Sequence, residues 1–82
     1  MTQVMPYNPL AILEGWWVQI NMNSPFLNEQ DKTYTDSLDG QWCKVIKVYP
    51  EWVEIKFYPF GNADYHHRVM PRIAVKASKP NF

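Results

Sequence analysis

Trp52-Val53-Glu54-Ile55-Lys56-Phe57-Tyr58 alternates with a period of two. Val53, Ile55 and Phe57 share one face and Trp52, Glu54, Lys56 and Tyr58 the other, the pattern of a half-buried β-strand. Punctuation on both sides isolates the segment. Tyr49-Pro50-Glu51 precedes it as a turn, and residues 59–64 (PFGNAD) follow as a second turn, with proline and glycine supplying special backbone angles. Beyond that turn, Tyr65-His66-His67-Arg68-Val69-Met70 is expected to pair back antiparallel as a further strand.

Upstream, residues 42–49 (WCKVIKVY) read as a strand whose phase slips. Cys43 and Val45 keep one phase, while Ile46 and Val48 take the other. A β-bulge near Ile46-Lys47 reconciles them by adding one residue and bending the strand, and such bends help a short sheet curl into a barrel. Earlier still, Trp16, Val18, Ile20 and Met22 alternate with Trp17, Gln19 and Asn21. At the other end, Pro71-Arg72 breaks the fourth strand as a 3₁₀ turn, and residues 73–77 (IAVKA) form a short fifth strand.

Residues 23–40, NSPFLNEQDKTYTDSLDG, form a long polar connection between two β-patterned segments. Connections of this length in a compact domain commonly serve binding. Residues 1–7 read as an irregular arm. Asn8 before Pro9 fits an N-cap followed by proline at the first helical position, with one apolar turn over residues 10–13 ending at Gly15. That turn is too short to stand alone and is expected to plug one end of the barrel. The expected organisation is an arm and helical turn over residues 1–14, a barrel over 15–77 and a tail over 78–82.

The order is strand, long loop, three strands joined by short turns, a proline-marked break and a last short strand. Gly15-Trp16-Trp17-Val18-Gln19-Ile20, Gly40-Gln41-Trp42-Cys43-Lys44-Val45, Val53-Glu54-Ile55-Lys56-Phe57 and Met70-Pro71-Arg72-Ile73-Ala74-Val75 carry that order. In this arrangement the chain resembles the SH3-like small β-barrel superfamily over residues 15–77. The resemblance implies an all-β, five-stranded antiparallel SH3-like barrel with a long first loop and a 3₁₀ turn before the last strand. It is topological, and a fold of this kind transfers no function. Neither the acidic, tryptophan-paired groove of signalling SH3 domains nor a ribosomal or Tudor signature is present.

With 82 residues, the chain buries roughly 60–65% of its unfolded surface. Its core must rest on large side chains, and four Trp, five Tyr and four Phe supply them. Cys43 is the sole cysteine, so no internal disulfide forms, and a lone thiol points to a reducing, cytoplasmic compartment. The first fifteen residues lack a basic segment followed by an uninterrupted apolar run, the mark of a signal peptide. No apolar stretch approaches the ~20 residues that span a bilayer, so no membrane association is expected.

Net charge is zero but segregated. Residues 1–41 set Glu14, Glu29, Asp31, Asp36 and Asp39 against Lys32, a net −4. Residues 42–82 set seven basic residues against Glu51, Glu54 and Asp64, a net +4. Such asymmetry creates an acidic lobe and a basic face unless interleaved strands cancel it.

No catalytic set stands out, and no enzyme activity, metal or small-molecule cofactor is expected. His66 and His67 are adjacent on a strand and point to opposite faces, so they cannot chelate one ion from regular β geometry. Cys43 falls in a core phase, where a cysteine behaves as a small hydrophobe rather than a nucleophile. The acids at 31, 36 and 39 do not match a calcium-loop spacing, and the three glycines form no phosphate cradle.

The aromatics are more informative. Trp17, Trp52 and Tyr58 fall on outward faces, where they are covered by residues 1–7 and the long loop as a satellite core, or else form a contact patch. The expected function is a non-catalytic interaction module that binds a protein partner through the loop and outward aromatics, as a regulator, inhibitor or small subunit. Its expected partner-binding residues are Trp17, Tyr34, Asp36, Trp52, Tyr58, Tyr65 and Arg68. The alternative is a single-stranded nucleic-acid-binding small barrel. It is motivated by Lys44, Lys47, Lys56, Arg68, Arg72 and Lys76 in the strands that carry Trp52, Tyr58 and Tyr65.

Overall fold

A computed structural model of the chain describes residues 11–59 and 64–80. Five strands make one antiparallel sheet: β1 (Trp17–Ile20), β2 (Cys43–Val48), β3 (Trp52–Phe57), β4 (His66–Pro71) and β5 (Val75–Lys79). Their order is β4-β3-β2-β1-β5, a meander whose last strand returns beside the first. The expectation of an all-β fold with five antiparallel strands therefore holds. The sheet is open, however: among the described residues no ladder joins β4 to β5 across its ends.

The alternation in β3 places its residues as the sequence implies. Val53, Ile55 and Phe57 are buried while Trp52 is exposed. In β2 the register with β3 shifts between Val45 and Lys47, so the expected bulge is present. The extra residue, Ile46, lets Val45 be buried and Val48 pack against the core on either side of it. A 3₁₀ helix (Arg72–Ala74) follows Pro71, and the Arg72 amide donates to the Glu51 carbonyl at 2.9 Å. That turn delays the fifth strand by two residues against expectation. It also brings Ser78 and Lys79, read as tail, into the ladder beside β1.

The 23–40 connection differs most from the expected loop. It holds two single-turn helices, α1 (Glu29–Lys32) and α2 (Thr35–Leu38). Asn28 caps α1: its side chain accepts from the Asp31 amide at 2.8 Å, and the Asp31 carboxylate accepts from the Asn28 amide at 3.4 Å. Leu27 and Leu38 are buried in the same core as Val18, Ile20 and Phe57, and the Tyr34 ring meets the Phe57 edge at 5.2 Å. Gly40 closes the segment at φ 77°, a conformation open to glycine at little cost. The connection is thus a lid on the core, held by its own apolar residues.

The arm at 1–7 and the start of the turn at 10–13 lie outside the described residues, as do residues 60–63 of the turn after β3. Residues 11–13 have no helical assignment, although Ile12 is buried in the core. Among the described residues no helix is long and apolar enough to cross a membrane.

Candidate functional site

Strand pairing fixes which side chains share the outer face. Across the sheet, Lys79 stands opposite Trp17, Trp17 opposite Lys44, Lys44 opposite Lys56, and Lys56 opposite His67. One row of directly paired residues therefore crosses all five strands. The next rows along β3 set Glu54 opposite Val69 and Trp52 opposite Pro71. The outer face thus has a cationic end around Lys56 and an apolar end around Trp52, about 13 Å apart at strand rise.

At the apolar end, Tyr49, Trp52 and Val69 line a shallow cleft of about 350 Å³. Their exposures are 37%, 47% and 45%, so the described residues leave all three rings and methyls open. Lys47 lies 5.6 Å from the Tyr49 ring centroid at the border of this patch.

At the cationic end each lysine rests on a ring. Lys44 Nζ is 5.1 Å from the Trp17 centroid, Lys56 Nζ 3.8 Å from Tyr65 and Lys79 Nζ 4.3 Å from Trp42. Tyr58 and Tyr65, both about half exposed, lie with centroids 4.5 Å apart. The Tyr65 hydroxyl accepts a hydrogen bond from Tyr58, which lowers its pKa, and the Lys56 and Lys44 charges lower it further. The same bond raises the pKa of Tyr58. No described carboxylate forms a salt bridge with Lys44, Lys56 or Lys79. The nearest acid in the row pattern, Glu54, approaches His67 Nδ1 at 3.6 Å instead.

The other expected contact residues have different positions. Arg68 and Tyr34 are engaged internally: Arg68 Nε donates to Asp31 Oδ1 at 2.5 Å, Nη2 donates to Gln30 Oε1 at 3.3 Å, and the guanidinium sits 5.6 Å from the Tyr34 ring. Asp36 is exposed on α2, whereas Trp17 is half-buried. Sequence reasoning missed Tyr49, Val69, Trp42 and Lys79 as surface contributors. Tyr49 and Trp42 flank strands rather than occupy them, and Lys79 lay in the presumed tail.

Cys43 is buried, and desolvation raises its thiol pKa to about 12. At neutral pH it is a thiol, not a nucleophilic thiolate. His66 is half-buried 6.2 Å from the Phe57 ring while His67 is exposed, so the two do take opposite faces. Comparison with protein-family models, with curated proteins and with solved structures gives no match to this chain.

Proposed function

We propose that this chain is a non-catalytic interaction module that docks a protein partner through the outward aromatics of its sheet, as a regulator, an inhibitor or a small subunit of an assembly. The observation that carries the reading is the apolar end of the outer face. Trp52, Tyr49 and Val69 converge on one open cleft that the 23–40 lid leaves uncovered. A half-exposed Trp at the centre of such a patch is the usual anchor of an interface, where a few aromatic residues carry most of the binding energy. The occupant that fits is an aliphatic or aromatic side chain from a partner surface, inserted beside Trp52 and rimmed by Lys47 and Glu54.

Leu27, Leu38 and Tyr34 of the 23–40 lid pack on the core and support the sheet, while Phe26 and Asp36 stay exposed, and the proposed contact surface centres on β2–β4. As for the scaffold, the strand order and the 3₁₀ turn before β5 support reading it as an SH3-like barrel. The buried lone thiol supports a reducing, cytoplasmic setting.

Affinity capture from the native host, comparing wild type with Trp52→Ala, tests the docking reading. A partner that anchors on Trp52 loses about 30-fold or more in affinity, corresponding to ~2 kcal/mol or more for a hot-spot residue. If the folded variant retains every partner at wild-type strength, the cleft is not the docking site.

A further inference from the structure

At the cationic end of the outer face, we propose a second binding site, one that takes single-stranded nucleic acid through alternating base-stacking rings and phosphate-binding lysines. It does not rest on the docking reading, because its residues lie at the opposite end of β3 from Trp52.

The row Lys79–Trp17–Lys44–Lys56–His67 spans four strand-to-strand steps, about 19 Å at the ~4.8 Å spacing of neighbouring strands. That length matches a short stretch of single strand, on the order of the 4-nucleotide lower bound for small β-barrel binders. Trp42, Trp17 and Tyr65 lie beside Lys79, Lys44 and Lys56 in turn, with Tyr58 tilted against Tyr65 as a fourth ring. Every base offers a π-face, so rings in a row hold a strand with little sequence preference.

The present partners of the lysines make the exchange favourable. An ammonium on a ring is worth a factor of about 2–5 where exposed, as at Lys79, and up to ~30 where desolvated, with the half-buried Lys44 and Lys56 between these limits. A base stacked on the same ring is worth about 5- to 150-fold, and a phosphate then takes the displaced ammonium. With no described carboxylate bonded to these three lysines, no ion pair among the described residues has to break. An acidic protein segment would satisfy the charges but would leave the rings unused, so nucleic acid fits both halves of the pattern. The zero net charge removes long-range steering, so binding is short-range, and its salt dependence comes from the phosphate contacts of these lysines.

Fluorescence anisotropy with labelled 12-nucleotide oligo-dT and oligo-U, titrated with the full chain between 20 and 200 mM NaCl, provides the test. Neutralising three phosphates gives a log–log salt slope of about −2, an affinity loss of about 20-fold between 50 and 200 mM. Lys44→Gln and Lys56→Gln each flatten the slope by about 0.7. Tyr65→Ala lowers affinity about 5-fold or more at unchanged slope, and Trp52→Ala leaves both unaltered. All four side chains lie on the outer face, and near-ultraviolet circular dichroism verifies that the variants fold. Absence of binding to both oligonucleotides at 20 mM salt overturns the proposal. So does a wild-type slope in the Lys44→Gln, Lys56→Gln double variant. Equal binding to polyglutamate, insensitive to Tyr65→Ala, would assign the face to an acidic protein segment instead.

Discussion

The ion pair between Asp31 and Arg68 ties the 23–40 lid to β4, and it yields a prediction with an unusual sign of asymmetry. The Asp31 side chain is 3% exposed and that of Arg68 24%. Removing one member of a buried pair costs about 3–5 kcal/mol, because the survivor is left charged and dry. Here the two survivors differ. In Asp31→Asn the guanidinium stands at the surface and can rehydrate, and the amide oxygen can still accept from the Asn28 amide, so the loss falls at or below ~3 kcal/mol. In Arg68→Met the aliphatic stem is kept but the carboxylate stays walled in, and the contact with the Tyr34 ring goes too, worth a further ~0.5–1 kcal/mol. The expected loss is ~4–5 kcal/mol. Against a total of about 4–12 kcal/mol for a domain of this size, that places Arg68→Met near the edge of folding. Urea titration followed by tryptophan fluorescence measures both variants. The double variant, which leaves no charge stranded, should be less destabilised than the sum of the singles by ~1.5 kcal/mol or more. If Arg68→Met costs under ~1 kcal/mol, the lid is not held by this pair. If Asp31→Asn proves the more harmful, the burial argument is wrong.

Two further predictions concern the core and the lid's hinge. Burial raises the Cys43 pKa to about 12 in the folded chain, while in the unfolded chain it titrates near ~8.5. Between these values the unfolded state loses the proton first, so stability falls as pH rises, by up to ~1.4 kcal/mol per pH unit. Cys43→Val removes that dependence, and the difference between the two urea-stability profiles from pH 8 to 11 should widen steadily; parallel profiles would show that the thiol is not buried. Gly40→Ala forces a Cβ into a φ of 77° with no neighbour to clash, a pure backbone cost of ~1–2 kcal/mol. The melting temperature should drop by about 5–15 °C, and an unchanged value would mean the turn adopts another conformation.

Much of the sheet was legible because its residues alternate cleanly. Val53, Ile55 and Phe57 declare their face, and the phase slip between Val45 and Val48 declares the bulge. The lid was not legible as structure. Each of its helices is four residues long, too short for a 3.6-residue period to repeat. The Asn28–Asp31 capping box that starts the first of them is an acid-and-amide variant of the commoner Ser/Thr–Glu box and was not read as a helix start. The latch could not be read at all, since its two charges lie 37 residues apart. At the candidate site, outward phase identified Trp17, Trp52 and Tyr58. It could not show that the Arg68 side chain is drawn into the latch, because alternation assigns a face and not a partner.

The segregation of charge along the chain acquires a definite meaning once these partners are known. Read from sequence, the acidic first half and basic second half invite the idea that one cancels the other through the fold. Only one such pairing across the halves is seen among the described salt bridges, Asp31 with Arg68, and it is spent on holding the lid. Among the described residues, Lys44, Lys47, Lys56 and Lys79 are in no salt bridge and lie instead against aromatic rings. A lysine held by a ring keeps its full charge and is released at small cost, whereas a lysine held by a carboxylate is electrically silent. The same count of charges can therefore give either a quiet surface or a responsive one. In this chain the arrangement of partners, not the net charge, makes the outer face of the sheet the place to look for binding.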